Sequence, residues 1–227
     1  MTMPNAPFCS VFMAISQDGF IARPDGALDW LDDANRRVPP GEDCGFGAFM
    51  ARVDALVMGH RTFDSVQAMG AWPYGDKPVV VLSHSLQRLP AGVPASVRLF
   101  SGTPQEIVQG LCAKGWHRLY IDGGATVQAF LQAGLIHELV LTEVPCTLGQ
   151  GIALWGSPGL SAKFELQHQQ AYPFGFVQRH YRLKPFHQDL EVRKVQAGNA
   201  RISALPTAFA CAGSRSTCSR SSSTVTT

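Results

Sequence analysis

Apolar positions along the chain fall in short runs separated by stretches of helical period. Phe8–Ile15 is rich in Val, Phe and Ile and reads as a buried strand. Turn chemistry in "QDGF" and "RPDG" ends it. Residues 29–44, "DWLDDANRRVPPGEDC", are polar with two prolines and are expected to be irregular. Phe46, Phe49, Met50 and Val53 fit one face of a short helix, and "DALVMG" is a short buried strand ending in glycine. "HRTFDSV" opens a helix with Thr62 as candidate N-cap, and "KPVVVLS" is another buried strand. After a short strand at Val97–Phe100, Thr103-Pro104-Gln105-Glu106 has the chemistry of a helix start. Thr103 caps, Pro104 suits the first turn and Glu106 completes a capping box. Ile107, Val108, Leu111 and Cys112 supply its apolar face, and Gly115 its stop.

The stretch 119–135, "LYIDGGATVQAFLQAGL", leaves an apolar strand at Asp122, spends two glycines and enters a helical period at once (Val127, Phe130, Leu131), with Gly134 as the stop. "ELVLTEVPC" is a further strand. "KFELQHQQAY" and "GFVQRHYRL" read as two late strands turned at "PFG". Helices between strands predict parallel crossovers with helices on both faces, and the closing hairpin predicts antiparallel pairing at one edge. The expected fold is a mixed α/β sheet of about eight strands. The late strands offer a face that a homodimer would share.

Bulk properties narrow the class. The 227 residues are 45% hydrophobic and 16% charged, which suits one domain with a substantial core. Net charge is only +2, so nothing draws the whole molecule to nucleic acid or a membrane. From residue 185 onward five basic residues stand against two acids, which leaves the preceding body with 14 basic and 15 acidic groups. Residues 1–184 are therefore read as the folded domain. Residues 185–227, Ser/Thr-rich and basic without apolar period, are read as a disordered tail. The six cysteines form no Cys-x-x-Cys pair, as expected of reduced thiols in a cytoplasmic protein. No signal peptide and no membrane-spanning run is expected.

Absences restrict the chemistry. There is no Gly-x-Gly-x-x-Gly, Walker loop, His-Glu-x-x-His or Gly-x-Ser-x-Gly, and the seven histidines are scattered, so no metal site is expected. A bound organic cofactor would have to supply any reactive group. Three strand ends suit one: "GHRT" after 55–58, "SHS" after 79–82 and "DGGAT" after 119–121. In open α/β sheets ligands bind beyond the carboxyl ends of parallel strands, and two of these ends offer helix N-termini to an anion. Each also has a bland reading: plain turn geometry at the two glycines, and a cap at Ser83.

Four pieces, in order, carry a resemblance: "MAISQDGFIARPDGALDWL", "DCGFGAFMARVDALVMGHRTFDSV", "AWPYGDKPVVVLSHS" and "LYIDGGATVQAFLQAGLIHELVLTEVPCTLGQGIALWG". Over residues 8–183 the chain resembles the dihydrofolate-reductase superfamily. Within it, the chain is most similar to stand-alone "dihydrofolate reductase family" proteins related to the reductase domain of the bifunctional riboflavin-biosynthesis deaminase-reductase. The resemblance implies a dihydrofolate-reductase-like, mixed, mostly parallel eight-stranded sheet with NADPH across its carboxyl edge. It puts Gly59, His60, Arg61 and Thr62 beside the cofactor phosphates and Leu82, Ser83 and His84 at the adenosine end. Gly123, Gly124, Ala125, Thr126 and Val127 then cradle the pyrophosphate, and Ala14 and Ile21 line the nicotinamide. Trp30 and the acid Asp43 would face the substrate and carry the catalytic roles, against the plain readings of a core tryptophan and a carboxylate that caps the following helix through its N–H groups. The family usually has Arg where this chain has His60, which implies a looser grip on the 2′-phosphate.

The resulting expectation is an NADPH-dependent reductase of a pyrimidine- or pterin-type small molecule. 5-Amino-6-(5-phosphoribosylamino)uracil leads among substrates, with Arg23, Arg36 and Arg37 as candidates for its phosphate, and dihydrofolate follows. Asp43 would orient the substrate ring and assist the proton, since a carboxylate accepts paired hydrogen bonds from an aminopyrimidine edge. The alternatives are a nucleotide-binding module without chemistry and, least favoured, a nucleic-acid binder acting through the tail.

Overall fold

The computed structural model describes residues 6–157 and 159–185; the tail expectation lies outside them. Eight strands form one sheet: β1 (Phe8–Ser16), β3 (Ala55–Gly59), β4 (Val79–Leu82), β5 (Val97–Phe100), β6 (Arg118–Asp122), β7 (Ile136–Val144), β9 (Phe164–Ala171) and β10 (Val177–Leu183). Their order is β5-β4-β3-β6-β1-β7-β10-β9. The pairs from β5 through β7 are parallel, and β7-β10-β9 is antiparallel. This is the mixed, mostly parallel dihydrofolate-reductase-like sheet expected. Two short strands, β2 (Phe20–Ala22) and β8 (Ile152–Ala153), pair separately and were not anticipated. At two or three residues they are too brief for a period to show.

The central parallel strands are buried on both faces because each face meets its own helices. Val57, Leu119 and Ile121 face α4 (Pro104–Cys112) and α5 (Gly124–Gln132) in one core with Leu111, Val127 and Phe130. Leu56, Met58 and Tyr120 face the other way, against Phe49 of α2 (Phe46–Ala51) and Phe63 of α3 (His60–Ala68). A smaller cluster gathers Trp30, Ala34, Cys44, Val144 and Phe176.

That cluster explains a correction. Part of the stretch expected to be irregular is a helix, α1 (Asp29–Asn35). Trp30 and Ala34 lie four residues apart and bury the same side. Two apolar anchors in seven residues give a helix but hardly a visible period. A second correction concerns α3, which starts at His60 with Gly59 as N-cap, so Thr62 sits inside the first turn. The capping box of α4 is present as read. Glu106 N–H donates to Thr103 Oγ1 at 3.3 Å and Thr103 N–H to Glu106 Oε2 at 2.8 Å. At the far edge β9 exposes every residue after Phe164; the homodimer expectation falls on this strand and β10.

Candidate active site at the carboxyl edge of the sheet

The helix-bearing strand ends are neighbours, because β3 pairs directly with β6. Their junctions interlock. A Cβ on Gly123 would collide with Thr62, and one on Gly59 would lie 3.1 Å from Thr126 Oγ1. Gly123 also has φ +83°, a region that L side chains avoid. One on Gly124 would come within 2.6 Å of Ile21 Cδ1. The double glycine therefore first lets two helix starts and the β1–β2 segment pack together. The amides of Gly124, Ala125 and Thr126 open α5 without a side-chain cap, and those of His60, Arg61 and Thr62 open α3 in the same way. Two sets of N–H donors without a partner among the described residues and two positive helix ends thus lie side by side. This donor set, with no side-chain carboxylate capping it, fits a diphosphate.

The candidates around it divide. Gly123 gives its amide to Asp122 Oδ1 at 2.8 Å, so that donor is taken. Val127 has a fully buried side chain, and its N–H donates to the Gly123 carbonyl at 2.8 Å, so it serves the core and the first helical turn. Burial pushes the Asp122 carboxyl above its ordinary value, against the opposing pull of the Gly123 amide and the Tyr120 hydroxyl. Arg61 and His60 are exposed at the start of α3.

Flanking this junction are two clefts. One, of about 400 Å³, lies beyond β4 and β5 and is lined by Ser83, His84, Gln87, Phe100 and Ser101. Ser83 accepts the amides of Ser85 and Leu86 through Oγ, so its hydroxyl closes its own turn, and Leu82 is packed on the core. The other, of about 450 Å³, lies over β1 and β7 and is lined by Phe12, Ala14, Leu31, Asn35, Asp43 and Thr142 among others. In sheet order, the β4/β5 cleft, the two helix starts and the β1/β7 cleft form a continuous series.

Asp43 stands in the second cleft, but its carboxylate already works. Oδ1 accepts from Gly45 N–H and Oδ2 from Gly47 N–H, both at 2.8 Å. The Gly47 and Gly45 amides hold its carboxyl below the ordinary range, so at neutral pH it is an acceptor and not a proton donor. Lone pairs remain on both oxygens for a ligand. Trp30 is 4% exposed in the small core cluster, and its Nε1 is unpartnered. It supports the cleft through α1 rather than lining it. Residues that sequence reasoning passed over include Cys44 and Thr142. Thr142, the lone hydroxyl in the apolar run of β7, was visible as an interruption. Cys44, at φ +52°, gave no signal.

Of the three arginines near this cleft, Arg23 is bidentate to Asp29 at 2.6 and 2.9 Å and Arg36 pairs with Asp33 at 2.9 Å. Arg37 is exposed and has no ion pair among the described residues. Among the same residues no group of three His, Cys, Asp or Glu is placed to hold a metal ion, and no helix is long and apolar enough to cross a membrane.

The chain is similar to known proteins in sequence and fold. A protein of Shewanella sp. PV-4, described as a candidate riboflavin biosynthesis protein, is 41% identical with a TM-score of 0.72, over 78% of this chain and 99% of its own. YwjB of Bacillus subtilis strain 168, described as uncharacterized, is 31% identical over 75% of this chain and 95% of its own length. The diaminohydroxyphosphoribosylaminopyrimidine deaminase/5-amino-6-(5-phosphoribosylamino)uracil reductase of Thermotoga maritima shares the fold. Its TM-score is 0.61 at 12% identity, over 79% of this chain and 57% of its own. Residues 7–177 match the RibD C-terminal domain model. Matched over residues 7–177 and carrying the eight-stranded sheet, the chain belongs to the RibD C-terminal domain family.

Proposed function

We propose that the chain is an NADPH-dependent reductase of a pyrimidine- or pterin-type small molecule. The observation that carries this reading is the order of features along the carboxyl edge: polar cleft, paired helix starts, apolar-walled cleft. A dinucleotide laid along it has its adenosine by His84, its diphosphate on the Gly124, Ala125 and Thr126 amides and its nicotinamide against Ala14 and Ile21. The Shewanella relative supports riboflavin biosynthesis as the setting, with 5-amino-6-(5-phosphoribosylamino)uracil as leading substrate. Arg37, free of an acidic partner among the described residues, is the candidate for its phosphate.

When bound, NADPH supplies a hydride to a C=O or C=N carbon, and a proton must reach the adjoining heteroatom. Phe12, Leu31 and Val38 keep water from the ring plane, since hydride transfer needs donor and acceptor carbons held at roughly 3–3.5 Å. Asp43, ionised, accepts hydrogen bonds from the substrate's amino edge and orients it. The proton then comes through solvent, because Asp43 has none to give.

The test is a titration of the full chain with NADPH followed by nicotinamide fluorescence, then cofactor oxidation against a panel of aminopyrimidines and pterins. Saturable binding below millimolar concentration and turnover of one panel member are expected; no binding at millimolar cofactor sinks the reading. Asp43→Asn should lower turnover about tenfold, the scale of one charge-assisted hydrogen bond, and leave NADPH affinity as it was. A second reading is a nucleotide-binding module without chemistry. It is favoured by the structural duties of Asp43 and Trp30, and its signature is tight NADPH binding with no turnover of any panel member.

A further inference from the structure

Ala14 of β1, Thr142 of β7 and Gln178 of β10 are register partners in a single row across the sheet. Gln178 is 3% exposed, and a buried amide needs its donors and acceptor met. Its Nε2 donates to the Cys44 carbonyl at 2.9 Å and to Thr142 Oγ1 at 3.0 Å. A carbonyl only accepts, so nitrogen is the atom that faces Cys44, and the amide oxygen is left toward His180 Nε2 at 3.1 Å. His180 then presents Nε2–H. Burial holds its pKa below the ordinary value, in keeping with a neutral ring. Cys44 is itself fixed, since its N–H donates to Glu42 Oε1 at 2.6 Å.

The consequence falls on Thr142. Its oxygen receives a hydrogen from Gln178, so its own hydroxyl hydrogen is left to donate. No acceptor among the described residues takes it. Thr142 is 5% exposed and lines the cleft beside Ala14. A buried donor without a partner costs free energy until a ligand supplies an acceptor.

We propose that Gln178 is a positioning residue that holds the Thr142 hydroxyl as a hydrogen-bond donor into the β1/β7 cleft, so that the cleft selects a ring presenting a carbonyl oxygen at that point. This rests on the reductase reading of the same cleft and adds to it a rule of specificity. A ring with an amino group there meets the hydroxyl donor to donor, and both groups lose water without gaining a partner.

Two probes separate the cases. 5,6-Diaminouracil carries ring carbonyls where 2,4,5,6-tetraaminopyrimidine carries amino groups. Isothermal titration of each into the NADPH-loaded full chain should show a preference for the uracil of about tenfold or more, the scale of one unmet buried donor. Thr142→Val and Gln178→Met should bring that ratio to near one, and Thr142→Ser should keep it. Gln178→Glu has the same shape but takes the Thr142 hydrogen for itself. It should collapse the ratio too, and it decides the matter if the Met variant does not fold. A purely structural Gln178 would weaken both probes alike and leave the ratio intact, which overturns the proposal. Wild-type chain that binds NADPH but neither probe, or both equally, also overturns it and leaves the reductase reading standing. Absence of NADPH binding removes both.

Discussion

Thr62 reaches across from the start of α3 to fill the space that a side chain on Gly123 would need, while Thr126 does the same for Gly59 from the start of α5. Gly123 is thus required twice, by its positive φ and by its neighbour. Replacing it with Ala should cost about 2–4 kcal/mol, combining a left-handed L residue with a core-type clash. The Thr62→Ala/Gly123→Ala pair should recover only the clash and leave a residual of about 1–2 kcal/mol for the backbone. Urea unfolding of the two single variants and the double variant measures the coupling, and additive costs would show that Thr62 is not the obstacle. The sequence made this position legible as a place where only glycine serves, since strand, glycine pair and helix follow without a break. It did not tell what occupies the vacated space. The occupant comes from residue 62, and that proximity exists only once β3 and β6 pair. Asp43 was more legible: the plain reading of an acid before a Phe-bearing helix is a cap on its N–H groups, and the bonds from Gly45 and Gly47 are that cap.

At the scale of elements, what was legible followed from the length of the pattern. The capping box of α4, the glycine stop of α5 and the hairpin of β9 and β10 each rest on several agreeing residues and appear where expected. Helix α1 and strands β2 and β8 rest on tertiary contacts and did not announce themselves. Helix α2 shows how such contacts hold an element that its own sequence barely supports. It has six residues, an N-cap glycine without a side chain, so that only Asp43 from two residues earlier reaches its Gly47 amide, and no basic residue in its last turn. The missing cation is Lys77, at the approach to β4, whose Nζ donates to the carbonyls of Met50 at 2.9 Å and Val53 at 2.5 Å. An ammonium at a helix C-terminus satisfies orphan carbonyls and opposes the dipole. Lys77→Met keeps most of the stem and removes the donors, so it should cost about 1–3 kcal/mol. Because α2 carries Phe46 and Phe49 and follows the Asp43 turn, the loss should also loosen the β1/β7 cleft. Hydrogen exchange should quicken in residues 43–51 ahead of the rest of the sheet. Uniform quickening would mean that Lys77 supports the whole core and not this helix.

Across the whole molecule, the clefts and helix starts are distributed along one edge, so the edge functions only if the sheet behind it is complete. Completion comes late in the chain. β10 inserts between β7 and β9, Phe176 closes the small core around Trp30, and Gln178 reaches Thr142 in the cleft wall. Among the described residues the last element, β10, ends at Leu183, and Lys184 N–H donates to the Lys163 carbonyl at 2.8 Å. The chain divides after Lys184 into two units, of which the first carries the sheet. Every residue invoked above for cofactor, ring or phosphate lies in the first. A chain ending at Lys184 should therefore unfold within about 0.5 kcal/mol of the full chain and bind NADPH equally well. A chain ending at Lys163, without β9 and β10, should leave Thr142 and Val144 uncovered and fail to fold cooperatively. Circular dichroism melts of the three lengths compare them directly. If the Lys184 chain loses stability or cofactor affinity while the full chain keeps both, then residues beyond 184 belong to the functional unit and the reading of a self-sufficient carboxyl edge is wrong.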